Sequence, residues 1–162
     1  MTARFFQVLR DSERGAAVIE LALALPILCA VVLGMSDIAR AYSLKLQIEQ
    51  AAQRTVEQVE QEKYVSTSSY NTSLTTEATS AMSDLGYTSG NTITPNSWLE
   101  CSSDSGATWT TQSSFTGSCS NATDITARYV SVKISRTYDP LFTVYNWPGS
   151  KTVDGFAEVR IQ

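Results

Sequence analysis

The segment Arg14–Val59, RGAAVIELALALPILCAVVLGMSDIARAYSLKLQIEQAAQRTVEQV, decides how this chain is built. Its first half, Ala16–Met35, holds a single charge, Glu20, in twenty residues. Twenty helical residues rising about 1.5 Å each cover about 30 Å, the hydrocarbon thickness of a bilayer. Its second half is amphipathic. Ile38, Leu44, Ile48, Ala51, Ala52, Val56 and Val59 recur mostly at three- and four-residue steps, with Lys45, Gln47, Glu49, Arg54 and Glu57 on the opposite face. Together the halves predict one helix over 16–63, about 72 Å long. Pro26 removes one backbone hydrogen bond and should kink it, and Gly34 weakens it further. The amphipathic stripe either covers the chain's own sheet or packs on neighbouring copies, with the first reading favoured for the half beyond the apolar run.

Before the apolar run stands a short leader, MTARFFQVLRDSERG, with Arg4, Arg10 and Arg14 against Asp11 and Glu13. The positive-inside bias keeps this end cytoplasmic and sends the rest across. No small-residue cleavage site follows the run, as it would after a secretory signal, so the apolar segment is expected to be retained. Glu20 is the anomaly. A carboxylate near the centre of a membrane helix costs about 2.5–3.5 kcal/mol, which makes intramembrane acids functional candidates. It stands five residues after Gly15, and a glycine at the membrane face offers a protease an accessible, deformable backbone. A cut there would free an α-ammonium on Ala16, one helical turn from Glu20, able to offset the burial of the acid. The plainer reading is a signal anchor whose Glu20 stays hydrated at the interface.

Gly15 and Glu20, placed after a basic leader at the head of one apolar run, resemble the processing motif of type IV prepilins. The continuation, with Pro26, Gly34 and Asp37, Tyr42 and Ala51-Ala52, resembles the TadE-like family of the tight-adherence (Tad, type IVc) pilus system. The resemblance covers about residues 14–60 and returns weakly in RYVSVKISRTYDPLF and FAEVRIQ, while about 64–126 resembles no family. It implies a pilin-like α+β fold: a long N-terminal helix, transmembrane then amphipathic, packed on a small antiparallel sheet with long polar loops. It divides the chain into a prepilin leader (1–15), a transmembrane segment (16–36), an amphipathic extension (37–63) and a periplasmic or extracellular α+β domain (64–162). It implies cutting between Gly15 and Ala16 by a prepilin peptidase, with Glu20 aligning the subunit on a neighbour. The implied partners are other pilins packed through the N-terminal helix, the peptidase, the Tad inner-membrane assembly platform and the membrane, with a separate ATPase supplying energy. The chain would sit N-in/C-out in the inner membrane and then reach the periplasm or the surface pilus. Because the major Tad pilin is much shorter, the length points to a minor pilin or pseudopilin serving pilus assembly and surface adhesion. The alternatives are an uncleaved, membrane-anchored adhesive ectodomain and a type II secretion pseudopilin.

Composition narrows the function classes. The 162 residues amount to about one domain, 43% hydrophobic and 17% charged, below the roughly 25% charge of an average soluble domain. Twelve Lys and Arg against 16 Asp and Glu give a net charge of -4, which opposes nucleic-acid binding. The absence of histidine removes Ser-His-Asp triads, Cys-His dyads and His-containing zinc or haem sites. Asp104, Asp124 and Asp139 form no recognisable pair, and no phosphate loop is present. No catalytic, cofactor-binding or metal residue is assigned, and the chain is not expected to be an enzyme.

Asn71–Leu85 reads as a second helix, capped by Asn71 or Thr72, with Leu74, Ala78, Met82 and Leu85 on one face and Gly86 as the stop. Tyr129–Ser135 and Val153–Ile161 alternate as strands, the first placing Val130, Val132 and Ile134 on one face, with a turn at Asn146–Gly149 between them. Cys101 and Cys119 lie in the part expected outside, where a disulfide is the default. Closing that loop stabilises by about 3 kcal/mol in the chain-entropy model. Cys29 reads as an inert small hydrophobe. Trp98, Trp109 and Trp147, with Phe115, either plug a small core under long loops, the favoured reading, or present rings to a sugar or a surface. The sequons Asn71-Thr72-Ser73 and Asn121-Ala122-Thr123 read as surface loops.

Overall fold

A computed structural model of the chain describes residues 13–61, 67–112, 115–121, 123–141 and 151–161. The leader up to residue 12, Lys63 at the expected helix end, Ala122 of the second sequon and the Asn146–Gly149 turn with Trp147 lie outside these. The architecture is α+β. Helices α1 (Glu13–Glu60) and α2 (Thr67–Asp84) pack on one face of an antiparallel sheet. Its strands are β1 (Asn91–Ser102), β2 (Thr110–Gln112), β3 (Ile125–Tyr138) and β4 (Lys151–Arg160), in the order β2-β1-β3-β4.

Helix α1 has the expected 48 residues but begins and ends three residues earlier than 16–63. It runs through Pro26 unbroken. From Leu44 onward its stripe of Leu44, Ile48, Ala51, Ala52, Val56 and Val59 is buried, so this half covers the chain's own sheet. Ile38 is the exception at 72% exposure, although its neighbour Asp37 is still tied to the end of β3. The whole run Val18–Met35 presents its large side chains to the outside. Helix α1 is the stretch, among the described residues, long and apolar enough to cross a membrane.

Helix α2 starts at Thr67, so neither Asn71 nor Thr72 caps it and the first sequon is helical rather than looped. The hydroxyls of Thr75, Thr76 and Thr79 donate to the carbonyls of Asn71, Thr72 and Thr75, four residues back. That back-bonding lets a hydroxyl-rich stretch stay helical. Leu74, Ala78 and Met82 are buried as expected, joined by Tyr70 and Ala81, but Leu85 is 39% exposed because the helix has ended at Asp84. Gly86 does stop the helix. At φ 85° its N–H donates to the Ser83 carbonyl and that of Tyr87 to the Met82 carbonyl, both at 2.9 Å. This is the paired closure of a Schellman motif, with the ring of Tyr87 packed on the core.

Strands β3 and β4 pair as the expected hairpin. Val130, Val132 and Ile134 are fully buried against the helices, matched in register by Val159, Ala157 and Gly155. Gly155 has a steric reason. A Cβ built there would lie 2.7 Å from the backbone of Ile48, so α1 and β4 touch backbone to backbone at this crossing. Strand β1, NTITPNSWLECS, pairs with β3 over its whole length but with β2 over Leu99–Cys101 alone. Pro95 therefore sits where β1 has a free edge, the place in a sheet where a missing N–H is tolerated.

Candidate functional site

The features that carry chemistry lie along α1 and on the face of the sheet turned away from it. At the start of α1, Gly15 is in the first helical turn and Glu20 is exposed one turn further along. Ala16 and Glu20 are four positions apart, hence on one side of the helix. Among the described residues no cationic side chain pairs with Glu20. The amides of a first turn have no intrahelical acceptors, and the helix dipole favours negative charge at that end. Cys29 is a free, exposed thiol on the apolar run.

Asp37 marks where the apolar run ends. The Tyr138 hydroxyl donates to its backbone carbonyl at 3.1 Å and to its Oδ1 at 3.2 Å, and the Leu141 N–H donates to Oδ1 at 3.0 Å. Burial, and then the acid beside it, push the Tyr138 hydroxyl above its ordinary pKa, so it remains a donor at neutral pH. The acid three residues after Gly34 thus ties the end of β3 to the helix. The motif Gly34-x-x-Asp37 is visible in the sequence, but its partners, a hundred residues downstream, are not.

The Cys101–Cys119 disulfide is formed, with the two Cα atoms 5.7 Å apart. Its loop contributes Phe115 to the core, where the ring meets Tyr70 edge-on at 4.8 Å, and Arg128 Nε donates to the Phe115 carbonyl at 3.1 Å. The tryptophans behave differently, and here the favoured reading of the rings needs correction. Trp98 and Trp109 are half-buried and lie outside the core cluster. The alternation of β1 turns Leu99 inward and Trp98 outward. Trp98 stacks on Tyr129 at 5.6 Å, Tyr129 is opposite Arg160 in the register, and the Arg160 guanidinium stands 5.7 Å from the Trp109 ring. Trp98 Nε1 donates to Glu100 Oε1 at 3.1 Å. The outer sheet face therefore carries an aromatic and guanidinium cluster that a sequence count of rings does not place.

Beside it, Asp104 organises the β1–β2 turn. Its Oδ1 accepts from the Thr108 N–H and from Ser102 Oγ, each at 2.8 Å, and its Oδ2 from Thr108 Oγ1. These bonds, those from Thr108 first, hold the carboxyl down to about 2. Among the described residues no three His, Cys, Asp or Glu side chains converge to hold a metal ion.

No curated protein and no solved structure matches this chain. Residues 15–56 match the family model described as TadE-like protein. The matched segment begins at Gly15, includes Glu20, Pro26, Gly34 and Asp37, and ends in the buried stripe of α1. Through that amino-terminal segment, about a quarter of its length, the chain is similar to the TadE-like family.

Proposed function

We propose that the chain is a minor pilin or pseudopilin of a Tad (type IVc) pilus. Before assembly it stands in the inner membrane through the apolar half of α1, N-terminus inside and domain outside. A prepilin peptidase cuts between Gly15 and Ala16. The subunit then leaves the bilayer by exchanging lipid for the apolar helices of other pilins on the assembly platform, and reaches the periplasm or the cell surface. It performs no catalysis of its own and needs no cofactor. The observation that carries this reading is Glu20, exposed on α1 five residues after Gly15 at the head of an apolar run that the domain leaves uncovered. An acid in that place is costly in lipid, and an amine one turn away on its own or a neighbouring subunit offsets the cost. Replacing Glu20 by Ala should leave membrane insertion intact and reduce the number of assembled pili at least about tenfold, the scale of losing a buried charge pair. Normal pilus numbers in that variant would remove the registering role.

The adhesive part of the reading rests on the outer face of the sheet. Trp98, Tyr129, Trp109 and Arg160 lie on the side away from α1, and so away from any axis along which the helices pack. Tryptophan and arginine are the side chains that most often dominate a binding surface. The net-acidic chain offers no electrostatic attraction to anionic surfaces, so attachment has to come from rings and hydrogen-bonding groups. Changing Trp98 and Trp109 together to Ala should lower surface attachment of piliated cells without lowering pilus number. Unchanged attachment would restrict the chain to assembly.

A further inference from the structure

Strand β3 runs antiparallel to α1. Ile134 is opposite Gly155, which touches Ile48, while Tyr138 reaches Asp37. The end of the β3–β4 hairpin therefore points back toward the apolar run rather than away from it. At this end Ile38 at 72%, Tyr42 at 66% and Leu141 at 57% are exposed, continuing directly from Met35, with the polar Thr137, Asp139 and Thr152 exposed among them. Further along α1, Leu44 and Ile48 are buried, while the domain's other exposed large apolar side chains, Leu46, Leu85, Ile125 and Phe156, are scattered. Cationic side chains stand at the same level: Arg40 is exposed on α1, and Lys151 opens β4 opposite Tyr138.

Height along the helix says what covers this surface. A hydrocarbon layer of about 30 Å is filled by Ala16–Met35, and the headgroup layer beyond it is about 5–7 Å deep. Asp37 and Ile38 follow Met35 within about 3–5 Å, and Tyr42, whose side chain leans back toward the helix N-terminus, within about 10 Å. Leu141 is held at the level of Asp37 by its hydrogen bond. Aliphatic and aromatic groups with lysine and arginine among them are the composition of a membrane–water interface.

We propose that this end of the domain is a second membrane contact, in which Ile38, Tyr42 and Leu141 enter the outer headgroup layer of the bilayer that α1 spans. The proposal rests on the membrane-spanning reading of α1. A lone helix can rotate and tilt in lipid. A domain that touches the surface through the Asp37–Tyr138 clamp cannot, and this presents Glu20 and the outer sheet face in fixed directions before assembly.

The test uses the full chain with Cys29→Ser, reconstituted in vesicles of phosphatidylcholine and phosphatidylglycerol. A single cysteine is placed by Leu141→Cys, by Leu28→Cys within the apolar run, or by Glu57→Cys far along α1. Each carries an environment-sensitive fluorophore, and formation of the Cys101–Cys119 disulfide is checked in every variant. Lipids spin-labelled near the headgroup serve as quenchers for positions 141 and 57, and lipids spin-labelled deep in the acyl chain for position 28. The proposal expects the label at 141 to be quenched at least about twofold more than the label at 57. Equal quenching at 141 and 57, with strong quenching at 28, overturns the contact and leaves the span standing. An apolar emission at 141 that lipid quenchers do not reach means a protein covers the surface instead, and also overturns it. Absence of quenching at 28 removes the span and the contact together.

Discussion

Gly155 decides how closely the helix and the sheet can approach. Its missing side chain is what allows the backbone of Ile48 to sit where a Cβ would otherwise be, 2.7 Å away. The neighbour is backbone in a long helix and has little room to move. Gly155→Ala should therefore destabilise the domain by about 1–3 kcal/mol, seen as a lower Tm of the detergent-solubilised chain. Gly34→Ala is the matched control, since nothing stands within 4 Å of a Cβ there and helix propensity favours Ala by about 1 kcal/mol. An unchanged Tm for Gly155→Ala would mean that α1 and β4 are less tightly joined than described. Gly155 could not be singled out from sequence, because a glycine in a strand gives no hint of what presses on it. Gly15 and Glu20 could, because their meaning lies in spacing along one helix.

Elements read well where their signal was local. The stripe Leu44–Val59, the alternation Val130–Ile134 and the stop at Gly86 each use a period or a residue type that states its own geometry. Strand β1 has no such signal. Its Asn, Thr, Ser and Pro residues look like loop, and it is a strand because β3 supplies a partner for all twelve of its residues. The start of α2 was obscured in the same way, since threonine hydroxyls close onto carbonyls four residues back only once the helix exists. The turn after β1 makes a prediction of its own. Asp104 has a depressed pKa of about 2 against an ordinary 3.8. Its hydrogen bonds are therefore at full strength above about pH 4 and are lost as the pH falls through about 2. The Thr108 amide resonance should move over that window, and the movement should vanish in Asp104→Asn. A shift centred near the ordinary carboxylate pKa would contradict the bonding described.

At the scale of the whole molecule, the chain is two objects sharing one helix. Beyond Leu44, α1 is the spine of a small α+β domain with its core between helix and sheet. Before Met35 no described residue covers it, an exposure that lipid or other apolar helices would resolve. Asp37 and Tyr138 join the two parts. The apolar half and its acid were legible in the sequence, since charge, length and spacing are all local quantities. The outward placement of Trp98 and Trp109 was not, because it depends on which face of the sheet the helices occupy. The central claim is that this helix is made to be cut at its membrane border, so that a new amine meets Glu20. It is tested most directly by the intact mass and N-terminal sequence of the chain recovered from membranes of cells that contain an active prepilin peptidase. The account predicts a mature chain beginning Ala16-Ala17-Val18. A chain that keeps Met1, in cells where the peptidase processes another prepilin, would contradict it.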